Sequence, residues 1–284
     1  MIVTRFAPSP TGRLHLGHAW SAVQAHDFAR SRGGRFLLRI EDIDGTRSRP
    51  EHVAAIRADL EWLGLEWNGE PVFQSQRLDL YQAALDRLKA MDLLYPCFCT
   101  RADIAASASA PHGPEGAVYP GTCRGVVDPD LSKPHCWRLD MERALSLPLP
   151  QGERGLWWHD ELAGEIPATP QLHGDVVLAR KDAPASYHLA VTIDDAAQGV
   201  THIVRGSDLF AATHIHRLLQ ALLDLPTPEY RHHPLLAGAD GTRLAKRHGA
   251  PTLEAMRLAG EDGRALAQAL REGRLPIGIG LAKD

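Results

Sequence analysis

Apolar positions in the first third of the chain fall into two alternating patterns. Ile2 to Ala7 reads as an extended segment that runs into a loop rich in proline and glycine. Leu16, Trp20 and Val23 follow at i, i+4 and i+7, the spacing of one helix face. Arg35 to Ile40 (RFLLRI) reads as a buried strand. Val53, Ile56, Leu60 and Leu63 return to helical spacing behind Pro50, a residue suited to a helix start, and Leu78, Tyr81, Leu85 and Leu88 repeat the pattern. Strands alternating with helices predict parallel βαβ units.

From Pro96 to about Gly174 the pattern changes. Proline, glycine and serine are frequent, all four cysteines occur, and long periodic segments are few. Alternation then resumes: VVLAR at 176–180 and THIVR at 201–205 read as strands, and Ile215, Leu218, Leu219 and Leu222 mark a helix. One further helix is predicted over Leu253–Leu270. The order predicts an α/β fold, a Rossmann-like parallel sheet split by an insertion. Residues 1–95 and 175–284 would form the two halves of the sheet domain, and residues 96–174 the inserted subdomain. Ligands of such sheets sit beyond the carboxyl ends of the strands, where the loop at 7–17 falls.

Composition narrows the class. The chain has 284 residues, 44% hydrophobic and 23% charged, as in ordinary globular proteins. No apolar run approaches the roughly 18 residues needed to span a bilayer. No basic stretch precedes an apolar core at the N-terminus, so no secretory signal is expected. Cysteines at 97, 99, 123 and 136 are too few for a disulfide framework in a chain this long, which points to a reducing cytoplasm. The net charge of −4 argues against a general nucleic-acid coat protein. Arg30, Arg32, Arg35, Arg39, Arg47 and Arg49 crowd into twenty residues, a density that a solvated face accounts for.

Three segments carry candidate chemistry. The first is RFAPSPTGRLHLGHAW at 5–20, where His15 and His18 lie at a helix start. No neighbouring set of metal ligands accompanies them. They could cap the helix, or they could add imidazole donors to a helix N-terminus that already favours phosphate, with Gly17 leaving room for close approach. The second is GTRLAKRHGA at 241–250, where Lys246 is one of only five lysines among 31 basic residues. Lysine is a compact point charge suited to a moving phosphate. The third combines Cys97-x-Cys99 with Tyr119-x₃-Cys123. Buried inert thiols are one reading and zinc is another. Three thiolates would need a fourth ligand, from Tyr119, His112, His135 or Cys136.

These segments resemble a known family. FAPSPTGRLHLGHAW is similar to the HIGH region of class I aminoacyl-tRNA synthetases in its glutamyl form, and LAKRH at 244–248 resembles a degenerate KMSKS loop. RIEDID at 39–44, YHLAVTIDD at 187–195 and THIVRGSDL at 201–209 resemble glutamyl enzymes in the same order. The resemblance implies attack of glutamate on ATP, accompanied by Mg²⁺, to give glutamyl-adenylate. It implies His15, His18 and Lys246 as catalytic residues and His15, Gly17, His18 and Lys246 as the ATP site. Glutamate would meet Arg5, Phe6, Ala7, Pro8, Ser9, Glu41, Tyr187 and Arg205, with the arginines on the γ-carboxylate and Glu41 on the ammonium. One structural zinc would be held by Cys97, Cys99, Tyr119 and Cys123. Val191 stands where the usual glutamyl enzymes carry asparagine, which implies one polar pocket contact fewer.

Only 35 residues follow Gly249, fewer than the roughly 50 of a small domain, so no anticodon-binding domain is expected. That truncation resembles the glutamyl-queuosine tRNA(Asp) synthetases. It implies tRNA-independent activation of glutamate and transfer to the queuosine base in the anticodon loop of tRNA(Asp), by a cytoplasmic monomer with no membrane partner. The alternatives are acylation of a tRNA 3′ end and a non-enzymatic paralogue that binds tRNA or glutamate.

Overall fold

The structure is a computed structural model and describes residues 1–106, 112–113, 116–148, 155–238, 252–276 and 278–282. Strand β1 (Val3–Phe6), helix α1 (Leu16–Arg30) and strand β2 (Arg35–Ile40) form the first βαβ unit, with β1 and β2 parallel. Small residues on α1, including Ala19, Ala22, Ala25 and Ala29, are buried and let the helix lie close to the sheet. Helix α2 (Pro50–Trp62) carries Pro50 in its first turn, where the missing N–H costs no bond. Strand β3 (Val72–Phe73) adds to β2 in parallel, and helix α3 (Leu78–Ala90) follows.

The middle of the chain holds β4 (Leu94–Cys97), α4 (Arg101–Ala106), β5 (His112–Gly113), β6 (Gly116–Ala117), β7 (Cys136–Leu139), α5 (Met141–Ser146), β8 (Trp157–Asp160), β9 (Gly164–Pro167) and β10 (Val177–Ala179). The boundary expected at Gly174 is crossed in both directions. Strand β10, the VVLAR segment, pairs antiparallel with β7, which pairs antiparallel with β4, so it completes the sheet of the insertion. Strand β8 pairs in parallel with β12 (Glu229–His233) and so belongs with the second parallel unit, β9 lying antiparallel at its edge. Pairings this distant in sequence leave no periodic trace along the chain.

That second unit continues with α6 (Tyr187–Ala197), β11 (His202–Gly206) and α7 (Ala212–Leu222), and β11 runs parallel to β12. Strand β1 lies beside β11, bridged where the Thr201 N–H donates to the Val3 carbonyl at 3.0 Å. Strand β13 (Leu236–Gly238) pairs with β14 (Ile279–Leu281). The single helix expected over Leu253–Leu270 is two helices, α8 (Leu253–Leu258) and α9 (Gly263–Arg271). Gly260 takes a left-handed φ of 82° between them, and Asp262 restarts the helix by accepting the N–H groups of Arg264 and Ala265.

Strand alternation divides the core. Phe36, Leu38 and Ile40 pack on one side with α1, α2 and α9. Val3, Leu37 and Ile203 face the other side, with Trp158 and Tyr230. The next inward positions on that second face, two residues along each strand, are Arg5, Arg39 and Arg205. Three parallel strands therefore bring three buried cations to their carboxyl ends.

Candidate active site

Beyond those strand ends lies a cleft of about 600 Å³. Its walls include Arg5, Phe6, Ala7, Pro8, Ser9, Glu41, Tyr187 and Arg205, all eight residues expected to meet the amino acid. His15, Gly17 and His18 line the same cleft. The Glu41 N–H donates to the Pro8 carbonyl at 3.1 Å and ties the end of β2 to the first loop.

Helix α6 supplies counter-charges. Arg5 Nε donates to Asp195 Oδ1 at 2.9 Å and Nη2 to Oδ2 at 3.4 Å, while Arg39 Nη2 donates to the same Oδ1 at 2.8 Å. Both arginines oppose the effect of burial on Asp195 and keep its carboxyl below the usual range. Asp194, the next residue, receives Arg77 Nε at 2.6 Å, Gln74 Nε2 at 2.8 Å and the Tyr81 hydroxyl at 2.8 Å. Glu41 differs. Its nearest cation atom is Arg39 Nε at 3.9 Å, and burial pushes its carboxyl up to about 7 against the pull of Arg39 and Arg5.

Arg205 is held by neutral acceptors. Nε donates to His232 Nε2 at 3.0 Å, Nη1 to the Tyr187 hydroxyl at 3.1 Å, and Nη2 to Thr213 Oγ1 at 2.7 Å and to the Leu209 carbonyl at 3.0 Å.

At the start of α1 the two histidines form a reciprocal cap. His15 Nδ1 accepts the Gly17 N–H at 3.1 Å, and His18 Nδ1 accepts the His15 N–H at 3.1 Å. Both neutral rings therefore carry their proton on Nε2. A Cβ at position 17 would lie 3.0 Å from the His15 ring, tighter than ordinary contact, so any larger residue would have to push that ring aside. Thr252, where the chain re-enters the described residues, bridges His15. Lys246 and the LAKRH segment lie outside the described residues.

In the insertion, the Sγ atoms of Cys97, Cys99 and Cys123 lie within 4.8 Å of one another. The Tyr119 hydroxyl is 3.4 Å from Cys97 Sγ and 3.5 Å from Cys99 Sγ, and Cys99 and Cys123 are 3.6 Å apart. A tetrahedral zinc with bonds near 2.3 Å spaces its sulfur ligands about 3.7 Å apart, so the donor set fits such an ion. Cys136 is outside the cluster. It sits opposite Cys97 across the β4–β7 pair and directs its thiol to the Cys97 carbonyl at 3.5 Å. His135 bonds the Lys133 carbonyl at 2.8 Å, and the side chain of His112 lies outside the described residues.

Sequence reasoning named the cleft's first wall and missed its supports: Asp160, Asp194, Asp195, Thr213, His216 and His232. One signal was present. Arg39 interrupts the apolar run RFLLRI, and a charge in a strand that reads as buried requires a partner. Val191, expected at the pocket, is 1% exposed on α6 and is absent from the cleft wall.

The family described as tRNA synthetases class I (E and Q), catalytic domain, matches residues 1–279. The chain belongs to that family. Within it, the chain is 50% identical over 276 residues to the Glutamyl-Q tRNA(Asp) synthetase of Rhodobacter capsulatus, covering 91% of this chain and 96% of the relative. It is 47% identical over 274 residues to the protein of that name from Deinococcus radiodurans, covering 94% and 88%. Among solved structures, the glutamate-tRNA synthetase of Elizabethkingia anophelis matches with a TM-score of 0.72 at 28% identity, over 88% of this chain and 54% of that one. The chain thus spans about half the length of that solved synthetase. No helix among the described residues is long and apolar enough to cross a membrane.

Proposed function

We propose that this chain activates glutamate with ATP, without tRNA, and transfers the glutamyl group to the queuosine base of tRNA(Asp). The observation that carries the first half is the charge pattern of the cleft. Arg205 enters it with no carboxylate ion pair among the described residues, and the Glu41 carboxylate stands at its wall with no hydrogen-bond partner among them. A γ-carboxylate answers the first and an α-ammonium the second. Arg5, Ser9 and Tyr187 complete the amino-acid contacts, with Phe6, Ala7 and Pro8 lining the same cleft. The 41–50% identity to proteins named Glutamyl-Q tRNA(Asp) synthetase supports the acceptor.

The glutamate α-carboxylate attacks the α-phosphorus of ATP, and pyrophosphate leaves. This chain's work is positioning and charge stabilisation. The Nε2–H groups of His15 and His18 donate to phosphate oxygens over Gly17. Lys246 joins them from the segment that precedes Thr252, the residue that bridges His15. Mg²⁺ accompanies ATP and neutralises phosphate charge. In the insertion, Cys97, Cys99, Tyr119 and Cys123 would hold one structural zinc, which would cross-link the insertion.

Two assays test the reading. Glutamate-dependent exchange of pyrophosphate into ATP should proceed with no tRNA present; its absence overturns tRNA-independent activation. Labelled glutamate should then pass to tRNA(Asp) carrying queuosine and not to the same tRNA lacking it. Transfer that survives loss of queuosine, and is lost when the 3′ end is blocked, would assign the terminal ribose as acceptor.

A further inference from the structure

The three arginines at the strand ends are not equivalent. Arg5 and Arg39 are tied directly to Asp195, which cancels much of their charge. Among the described residues Arg205 has five neutral partners, His216 Nδ1 at 3.5 Å being the most distant, and reaches a carboxylate only through an intermediary. His232 takes the Arg205 Nε–H on Nε2 at 3.0 Å, and its Nδ1 lies 2.7 Å from Asp160 Oδ2. Arginine can only donate and an ionised aspartate can only accept, so the ring has one allowed state: neutral, with its proton on Nδ1. Asp160, His232 and Arg205 are 1%, 6% and 4% exposed.

We propose that Asp160 and His232 are positioning residues for Arg205. The buried chain Asp160–His232–Arg205 aims the guanidinium into the cleft without cancelling its charge, and thereby sets the preference for a carboxylate over an amide at the far end of the bound amino acid. This deepens the glutamate reading of the cleft and rests on it. A direct Asp–Arg205 pair would hold the guanidinium equally well, but it would leave a charge-neutral surface that receives glutamine as readily as glutamate. Interposing a neutral imidazole separates orientation from neutralisation.

The surroundings support that division. Burial above all draws His232 down to about 4; the Asp160 hydrogen bond opposes this and the Arg205 charge assists it, so the ring stays neutral at physiological pH. Tyr230 stacks on the ring at an interplanar angle of 5°, and Trp158 and Phe210 meet it at steep angles, which fixes its plane. Asp160 has no spare freedom. Its Oδ1 accepts the Leu162 and Ala163 N–H groups at 2.9 and 3.0 Å, and its Oδ2 also accepts the His232 backbone N–H at 3.0 Å.

The test uses Asp160→Asn, His232→Asn and His232→Gln. In Asp160→Asn, the single amide oxygen cannot accept both from the two turn N–H groups and from His232; keeping the two turn donors turns the NH₂ toward His232. Facing His232 drives the ring proton to Nε2, where it opposes the Arg205 Nε–H. In His232→Asn, the short side chain keeps a group near Asp160 but loses the acceptor for Arg205. In His232→Gln, the longer side chain can return an oxygen to that acceptor position. In glutamate-dependent pyrophosphate exchange, Asp160→Asn and His232→Asn should raise KM for glutamate about 10- to 100-fold with kcat within about threefold. The ratio of glutamine inhibition constant to glutamate KM should fall by a similar factor. His232→Gln should recover most of that ratio. A ratio within twofold of wild type in both asparagine variants, or a loss confined to kcat, overturns the proposal.

If the wild-type protein shows no exchange without tRNA, tRNA-independent activation fails, and the positioning role is decided by nitrogen NMR of the intact protein. The wild type should show His232 protonated on Nδ1 alone, and Asp160→Asn should move that proton to Nε2. An unchanged tautomer overturns the proposal.

Discussion

Replacing Glu41 by glutamine should stabilise the empty protein while destroying its ability to hold the amino acid. The side chain is 11% exposed, lacks a hydrogen-bond partner among the described residues, and lies 3.9 Å from Arg39 Nε. Burial raises its carboxyl from 4.5 to about 7. The folded value lies above the unfolded one, so ionising Glu41 in the empty cleft costs stability. That cost is full above pH 7, shrinks between pH 7 and pH 4.5, and vanishes below. Its full size is about 3 kcal/mol. Glu41→Gln removes it and should raise the melting temperature at pH 8 by about 6 °C for a chain of this length, with no gain near pH 4.

Glutamate should reverse the order. An ammonium beside Glu41 turns the cost into an ion pair, and ligand at a hundredfold excess over Kd adds about 2.7 kcal/mol to wild type alone. Melting curves from pH 4 to pH 8.5, with and without glutamate, read both effects. A variant that melts below wild type when empty at pH 8, or a difference that is flat with pH, refutes the picture of a buried carboxylate held for the substrate's ammonium.

Other substitutions separate roles that overlap in space. His15→Ala should cost about 1 kcal/mol as a lost helix cap yet lower kcat of pyrophosphate exchange about 100-fold; a kcat within threefold of wild type would leave His15 a capping residue only. Metal analysis should find about one zinc per chain in wild type and in Cys136→Ser, and almost none in Cys97→Ser or Cys99→Ser; loss of zinc from Cys136→Ser would put Cys136 in the ligand set. Gly263→Ala should destabilise the protein by about 2 kcal/mol in urea unfolding, because the new methyl would sit 2.4 Å from the Trp62 carbonyl oxygen, which cannot rotate away; unchanged stability would mean α9 docks with slack.

What could be read from the sequence, and what could not, divides along the range of the interactions. Helix faces and strand runs are local, so α1, α2, α3 and β2 follow the apolar spacing closely. The amino-acid wall was legible because Arg5, Glu41, Tyr187 and Arg205 fall inside recognisable motifs. The single helix expected over Leu253–Leu270 failed because helical spacing survives across Gly260, whose backbone breaks the helix. Asp160 was invisible for a different reason. It sits in the proline- and glycine-rich middle, and its meaning comes from His232, 72 residues later, when β8 docks against β12. Nothing in the spacing of WWHD marks its last residue as the anchor of a guanidinium. Supports of a site are harder to read than its walls, since a wall residue is chosen for the ligand and a support only for its neighbour.

The same device recurs at both ends of the cleft. A neutral imidazole has one donor and one acceptor, and fixing either nitrogen fixes the other. At the start of α1, backbone N–H groups occupy Nδ1 of His15 and His18 and leave Nε2–H as the donor, the polarity that a phosphate requires. At β12, a carboxylate occupies Nδ1–H of His232 and leaves Nε2 as the acceptor, the polarity that a guanidinium requires. The rings are chemically identical, and the partner of Nδ1 decides what each can hold. A substitution that exchanges donor for acceptor at that partner, with shape and volume almost unchanged, should therefore damage binding more than removal of a nearby apolar wall residue such as Leu209, which bonds Arg205 only through its backbone carbonyl. Asp160→Asn compared with Leu209→Ala is that experiment in its smallest form, read in KM for glutamate. Equal losses would mean that packing, and not proton placement, governs the cleft.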